Sequence, residues 1–244
     1  MNESEDTSNP SVKALIVFRE NGDTDNLFVP ILCDAIRMAG IDVRCSTKDF
    51  WESDTTYDII HFQWPEEITG WNNQYTPKIQ FLEERIAFLK KQGSKFIYTR
   101  HNSRPHYYNS ITYSAYNIIE SSCDMVVHMG QFSYDEFRQQ YPQSHNVIIP
   151  HHIYENTYNE NITQKEAREK LNLPLDKFII LAFGKFRLKD EITMVITSFL
   201  KFKCKNKYLL APRLLPFSPH ARSKSFLKKF LSSILYHTSK FICR

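Results

Sequence analysis

The sequence predicts an α/β fold with a doubly wound parallel sheet, in which helices cover both faces of buried strands. Short apolar runs alternate with segments of helical periodicity over about the first 150 residues, which is the pattern of repeated strand–helix units. The composition is that of a globular protein, with 42% hydrophobic and 24% charged residues among 244. No apolar run approaches the roughly 20 residues that a membrane-spanning helix needs.

The first half of the chain contains six predicted strands. The first is a continuous apolar run, as expected for a buried parallel strand, and the second alternates apolar with polar residues. The third and sixth stop before Pro65 and Pro150, because proline cannot donate a ladder hydrogen bond. The six predicted strands are residues 13–18, 41–45, 58–62, 95–99, 124–128 and 146–149.

Four predicted helices separate these strands. Residues 27–38 place apolar side chains at helical spacing, and Gly40 can serve as the C-cap. Residues 78–91 have one apolar face and stop near Gly93. The remaining two predicted helices are residues 113–120 and 133–140.

The second half of the chain is predicted to be a smaller unit of the same kind. Thr163 can cap a helix over residues 164–171, and Pro174 separates that helix from a buried strand at 178–183. A helix at 191–202 and a strand at 207–211 follow. Nucleotide-binding sheets of this class have five or more strands, so this second unit is expected to be incomplete.

The predicted organisation has five parts. Residues 1–10 are expected to be disordered, and residues 11–153 form the first domain. The polar, Asn-rich residues 154–163 are a linker, 164–211 a partial second domain, and 212–244 a basic amphipathic tail or insertion.

Composition also bears on compartment and metal content. The start, MNESEDTSNP, is acidic and lacks the features of a signal peptide, so the chain is expected in the cytoplasm. Five scattered cysteines without a C-x-x-C pair indicate reduced thiols. The nine histidines show no ligand spacing, and the neighbouring His151 and His152 would diverge in a strand, so no metal site is expected.

The end of the chain is strongly basic. Eleven of the 31 Lys and Arg residues and no acidic residue lie from Lys201 to Arg244. Apolar residues at helical spacing from Phe226 to Phe241 accompany these cations. Such a segment is either a helix or insertion packed in the second domain, or a peripheral contact with an anionic membrane. No nucleic-acid partner is expected, because no binding motif accompanies the charge.

Ligands of open parallel sheets bind at the carboxyl ends of strands, so the polar residues there are the candidates. Gly22 follows strand one, where it either lets backbone N–H groups approach an anion or forms an ordinary turn. Trp64 follows strand three. The loop at residues 99–106 contains two guanidinium groups and two imidazoles, and is either a solvated loop or a binding site for a phosphorylated or polyhydroxylated ligand.

Several of these segments resemble motifs of GT-B glycosyltransferases of the family-four type. Residues 57–65 (YDIIHFQWP) resemble "DVVHxHWP", residues 98–102 (YTRHN) "xTxHN" and residues 123–128 (CDMVVH) "ADxVIVxS". Residues 147–151 (VIIPH) are similar to "VIPHP", and residues 167–189 to "AREKLGLP…FGxxRxxK". The motifs occur in the family's order and extend over residues 13 to 211.

The resemblance implies two Rossmann-like domains and transfer of a sugar from a nucleotide-sugar donor to a saccharide or lipid-linked acceptor. His101 would face the donor sugar as the catalytic residue. The donor diphosphate would be bound by Arg187, Lys189, Lys185 and Gly184, and the acceptor side lined by Gly22, Asn102, Arg104, His106 and Trp64. Fixed cations can stabilise a departing diphosphate, so neither a cofactor nor a metal is required.

The family's paired-glutamate motif has no counterpart in this sequence, because no acidic residue follows Glu191. Donor binding is therefore expected to be incomplete. The first expectation is the acceptor-side portion of a glycosyltransferase for cell-surface polysaccharide. The second is a non-catalytic pseudoenzyme or partner subunit for acceptor or membrane binding, and the third is a simple binding module of flavodoxin-like type.

Overall fold

A computed structural model describes most of the chain. The described residues are 12–20, 26–71, 76–105, 109–155, 157–184, 186 and 188–214, without the side chains of 76–78. They form two compact units, Met1–Thr157 and Tyr158–Arg244. The predictions for the N-terminal ten residues, and for the tail from residue 215 onward, fall outside the described residues.

The first unit contains the six-stranded parallel sheet that the sequence predicts. The strands lie in the order β2-β1-β3-β4-β5-β6, and every neighbouring pair is parallel. Their bounds are β1 Lys13–Val17, β2 Asp42–Cys45, β3 Ile59–Phe62, β4 Lys95–Arg100, β5 Met125–His128 and β6 Asn146–Ile148. This confirms an α/β fold with a parallel sheet that is compatible with a Rossmann-like domain.

Six α-helices of the first unit are described. The four that the sequence predicts appear with slightly different ends, as α1 Phe28–Met38, α4 Leu82–Lys91, α5 Ser110–Ser122 and α6 Gln131–Gln140. The predicted helix at 78–91 is wrong over its first four residues, because a 3-10 helix at Thr76–Phe81 precedes α4. Two short helices were not predicted, α2 Thr47–Glu52 and α3 Glu66–Thr69. Helices this short have too few positions for an apolar period to be visible in the sequence.

The core of the first unit lies on both faces of the sheet, because successive strand residues point to opposite sides. Leu15 and Val17 of β1 pack in a cluster with Ile60, Phe96 and Tyr98. Ala14, Ile16 and Phe18 pack on the other face with residues of α1 and β2. Burial of each large apolar side chain contributes about 1.5–3 kcal/mol, which holds the carboxyl ends of the strands in fixed positions.

The second unit is a single strand–helix–strand arrangement preceded by a helix. Its elements are α7 Gln164–Lys170, β7 Phe178–Leu181, α8 Lys189–Lys201 and β8 Lys207–Leu210, with β7 and β8 parallel. Thr163 caps α7 as predicted, since its hydroxyl accepts from the Glu166 backbone N–H and the Glu166 carboxylate accepts from the Thr163 N–H. The predicted strand at 178–183 ends two residues early, at Leu181.

The two-stranded sheet of the second unit leaves much of its apolar surface exposed. Leu209 and Leu214 are the buried hydrophobic residues in its described part, whereas Phe178 and Leu181 of β7 are each 56% exposed. A sheet of two strands is marginal on its own and needs further packing. Among the described residues, no helix has both the length and the apolar character to cross a membrane.

Candidate functional site

The strand order places a topological switch point between β1 and β3. The chain passes from β1 to β2 on one side of β1, and β3 and the later strands lie on the other side. In open parallel sheets, ligands bind at such a point, outside the carboxyl ends of the strands. Phe18 and Arg19 follow β1 there, and Gln63 and Trp64 follow β3.

His101 lies at this switch point, directly after β4. Its imidazole stacks on the indole of Trp64, with ring centroids 3.9 Å apart and planes 13° from parallel. The edge of Phe28 meets the same imidazole at a centroid distance of 4.8 Å. The structure therefore brings together two of the predicted site residues, His101 and Trp64, although 37 positions separate them in the sequence.

Gln63 joins His101 to a second imidazole. The side chain of Gln63 is fully buried, and its Oε1 lies 2.9 Å from His101 Nε2. Its Nε2 lies 3.1 Å from His61 Nε2, which is also 2.8 Å from the hydroxyl of Thr99. Because β3 and β4 are neighbours in parallel register, side chains from their carboxyl ends form one continuous hydrogen-bonded chain.

The imidazoles of His101 and His61, which Gln63 joins, are both uncharged at neutral pH. Burial, reinforced by His61 and His151 nearby, lowers the pKa of His101 to about 3. Burial alone lowers the pKa of His61 to about 4. A neutral His101 can accept or donate a hydrogen bond to a ligand hydroxyl, but it does not act as a cation toward phosphate.

Two further histidines lie against the same aromatic group. The rings of Phe28 and His152 stack at 4.5 Å, and His151 lies 4.9 Å from Phe28. The prediction that His151 and His152 diverge is wrong, because both lie beyond the end of β6 and their rings are 5.0 Å apart. Tyr154 packs edge-on against both. Within the described residues no cluster of three or more His, Cys, Asp or Glu side chains could bind a metal ion.

The basic residues of the loop after β4 are engaged in ion pairs rather than presented together to a ligand. Arg100 is buried, and its guanidinium donates to Glu120 at 3.2 Å and to Glu136 at 2.6 Å. Arg104 donates to the fully buried Glu120 at 3.3 Å, and also to the hydroxyl of Tyr113 at 3.2 Å. These pairs attach the loop to α5 and α6. The side chain of Arg104 retains 34% exposure, so its predicted acceptor contact stays a prediction.

Asn102 follows His101 in this loop and is half-buried beside the hydroxyl of Tyr116 on α5. That hydroxyl donates to both oxygens of Glu66, at 3.1 and 3.2 Å. Glu66 is 7% exposed, and burial raises the pKa of its carboxyl. The predicted role of Asn102 toward an acceptor stays a prediction.

A second group near the switch point was not predicted from the sequence. Arg19, just after β1, donates to Glu67 at 3.0 Å, and the indole N–H of Trp71 donates to the same oxygen at 2.7 Å. The guanidinium of Arg19 also lies 5.8 Å from the ring centre of Trp71. Arg19 is half exposed and Glu67 buried. Only their positions in the sequence could have indicated Arg19 and Glu67, because Arg19 comes just after a strand and Glu67 comes shortly after Pro65.

The predicted donor-side residues belong to the second unit. Gly184 follows β7 with φ +103°, a left-handed conformation that favours glycine. Lys189 is the first residue of α8 and is exposed. The other predicted site residues, Lys185, Arg187, Gly22 and His106, lie outside the described residues.

Comparison with known proteins gave no assignment. No protein-family model matches the chain, and no curated protein matches it significantly. The ordered motifs and the geometry at the switch point are therefore the basis for assigning a function.

Proposed function

We propose that the chain is the acceptor-side portion of a GT-B glycosyltransferase. Such a glycosyltransferase would transfer a sugar from a nucleotide-sugar donor to a growing cell-surface polysaccharide or lipid-linked acceptor. Two things support this proposal: the order of the family-like motifs along the sequence, and a six-stranded parallel sheet with a polar and aromatic group at its switch point.

The observation that carries the proposal is the position of His101 between Trp64 and Gln63. The three side chains come from the carboxyl ends of β3 and β4, where a ligand of such a sheet binds. An uncharged imidazole suits hydrogen bonding to sugar hydroxyls, and the neighbouring indole and phenyl rings suit contact with the apolar faces of a sugar ring. The group is thus better suited to a polyhydroxylated ligand than to a bare phosphate.

In the proposed reaction, an acceptor hydroxyl attacks the anomeric carbon of the donor sugar as the bond to the nucleoside diphosphate breaks. The leaving diphosphate takes up the electron pair of the broken bond, and the proton of the hydroxyl passes to one of its oxygens. Lys189 at the start of α8 would neutralise the developing negative charge, to which the helix N-terminus adds its own positive field. Arg187 and Lys185 would add further cations, and Gly184 would let the backbone approach the phosphates.

A second candidate function is that of a non-catalytic partner subunit. The observation that favours it is the second unit, whose two-stranded sheet exposes Phe178 and Leu181 and is followed by the exposed Phe183. Phe183 alone is 90% exposed. If another polypeptide completes that sheet, donor binding would belong to the complex and this chain would supply the acceptor side.

The two candidates differ in what happens when His101 is changed. In the native organism, we would introduce His101→Ala into the gene that encodes the chain. The exposed His145→Ala is the matched control. Incorporation of labelled sugar into lipid-extractable and polymeric material should fall at least about tenfold for His101→Ala and stay at wild-type level for His145→Ala. Loss of incorporation on gene deletion but not in His101→Ala cells would favour the partner subunit.

A further inference from the structure

We infer that Gln63 is a positioning residue that fixes the tautomer of His101, with the proton on Nε2 and the free lone pair on Nδ1. The catalytic meaning of this inference rests on the proposed function. The assignment of the tautomer does not rest on the proposed function, because it follows from the hydrogen bonds among His101, Gln63 and His61 alone.

The amide of Gln63 lies between two imidazoles. Its Oε1 lies 2.9 Å from His101 Nε2, and its Nε2 lies 3.1 Å from His61 Nε2. No part of Gln63 is exposed, so water does not compete for either end of the amide. A buried amide without these partners would lose hydrogen bonds that it makes to water in the unfolded chain, so the folded state favours an amide that is bonded at both ends.

An amide has one accepting end and one donating end, so the two rings must have opposite roles. The oxygen accepts, and His101 therefore donates from a protonated Nε2. The amide nitrogen donates, and His61 therefore accepts on an unprotonated Nε2. The hydroxyl of Thr99 lies 2.8 Å from His61 Nε2 and donates to that nitrogen as well. His61 thus has its proton on Nδ1 and His101 on Nε2.

This arrangement opposes protonation of His61. A proton on His61 Nε2 would face the N–H of Gln63, so the amide would have to rotate and break its bond with His101. The titratable groups that act on His101 among the described residues are His61 from β3 and His151 beyond β6. Both are histidines, so no carboxylate is at hand to favour a charged His101.

The consequence for the proposed reaction is a defined acceptor atom. With Nε2 bonded to Gln63 and one ring face covered by Trp64, Nδ1 is the atom of His101 that can accept a hydrogen bond from a ligand hydroxyl. Gln63 cannot itself titrate, so the tautomer would be constant over the physiological pH range.

The test is the nitrogen spectrum of the histidine rings in the whole chain labelled with ¹⁵N-histidine, assigned by comparison with His101→Phe. We expect His101 to show a protonated Nε2 and an unprotonated Nδ1, and His61 the reverse. If His101 has its proton on Nδ1, or if both rings have the same tautomer, the inference is overturned.

Two variants separate positioning from mere packing. In Gln63→Glu the carboxylate accepts from both rings, so His61 should move its proton to Nε2 and the pKa of His101 should rise by about 1–3 pH units. In Thr99→Val, which removes a bond to His61 only, His101 should keep its tautomer. If His61 keeps its proton on Nδ1 in folded Gln63→Glu, the inference is contradicted even when the wild-type tautomers are as expected.

The spectra are recorded without ligand, so a failure of the proposed function leaves this result intact. Conversely, the expected tautomers together with unaltered sugar incorporation in His101→Ala cells would support the inference on the ring while rejecting its use in glycosyl transfer.

Discussion

The imidazole of His101 lies flat on the indole of Trp64, with ring centroids 3.9 Å apart. A charged imidazolium would gain from the face of an indole, by about 0.5–2 kcal/mol. Burial outweighs that gain, because the pKa of His101 is lowered to about 3 rather than raised. The stack is thus a contact between two uncharged rings.

The first prediction concerns the buried ion pairs between the β4 loop and α5. Glu120→Gln should lower the free energy of unfolding by about 1.5–3 kcal/mol, because Arg100 keeps its pair with Glu136 but loses the buried carboxylate that it shares with Arg104. Urea unfolding followed by tryptophan fluorescence measures this. Asp34→Asn is the matched control, since its pair with Arg37 is exposed and should cost no more than about 1 kcal/mol. Equal costs for the two variants would contradict the role of Glu120.

The second prediction is the pH dependence of stability. In the unfolded chain a histidine titrates near pH 6.5, whereas in the folded chain the pKa of His61 is about 4 and that of His101 about 3. Between these values the unfolded state binds protons that the folded state does not. Each histidine should therefore remove stability as pH falls below 6.5, by up to about 1.4 kcal/mol per pH unit.

Buried Glu66 has the opposite effect on the pH dependence of stability. Its raised pKa makes the folded state bind a proton at a higher pH than the unfolded state does. The comparison must therefore be between variants. The slope of unfolding free energy against pH from 6.5 to 4.5 should be shallower in His61→Phe than in wild type, and unchanged in the exposed control His145→Gln. Parallel slopes for wild type and His61→Phe would show that His61 is charged in the folded protein.

The third prediction is weak affinity for nucleotide sugars in the isolated chain. No acidic residue follows Glu191 that could bind the ribose or the donor sugar, and the described second sheet has two strands. Calorimetry with uridine, guanosine and adenosine diphosphate sugars should give dissociation constants well above the micromolar range. A submicromolar value for any of them would mean that donor binding is already complete in this chain.

The fourth prediction concerns the diphosphate contact. Arg187→Ala should remove a charge-assisted hydrogen bond of about 1.5–3 kcal/mol and lower sugar incorporation at least about tenfold in cells that express the variant. Arg168→Ala is a suitable control, because Arg168 donates to the backbone oxygen of Leu175 instead. Undiminished incorporation with a stably produced Arg187→Ala protein would transfer the phosphate role to Lys185 or Lys189.

The fifth prediction is that the basic tail contacts a membrane surface. Each cation near an anionic leaflet contributes about 1 kcal/mol, screened by salt, and the apolar residues from Phe226 to Phe241 add a part that salt does not screen. The chain should co-sediment with phosphatidylserine vesicles at low salt, and binding should decrease when Lys224, Lys228 and Lys229 are changed to Gln. Equal binding by the variant, or no binding at low salt, would assign the segment to packing within the second unit.

Much of the fold could be predicted from the sequence, because strand runs such as residues 13–18 and 95–99 are apolar, short and separated by periodic helices. The capped start of α7 was predictable for a local reason, the Thr163 and Glu166 pair. The strand order was not predicted, since it depends on long-range pairing such as that of β1 with β3.

The site was predictable in part. His101 and Trp64 could be named because each directly follows a strand, but their stacking and the link through Gln63 arise only from the register of β3 and β4. The loop cations were expected to face a ligand, whereas Arg100 bonds instead to acidic residues 20 and 36 positions away. Partners this distant leave no local signal in the sequence.

The most direct test of the central claim is whether a sugar contacts His101. The ¹⁵N-histidine chain would be titrated with methyl glycosides of common hexoses and hexosamines, and with nucleotide sugars, each to tens of millimolar. We predict that at least one of them moves the His101 nitrogen resonances and leaves those of His145 in place, and that Trp64→Ala abolishes the movement. If no sugar or nucleotide sugar moves His101 in the folded wild-type chain, the switch point is not a saccharide site and the proposed function is wrong.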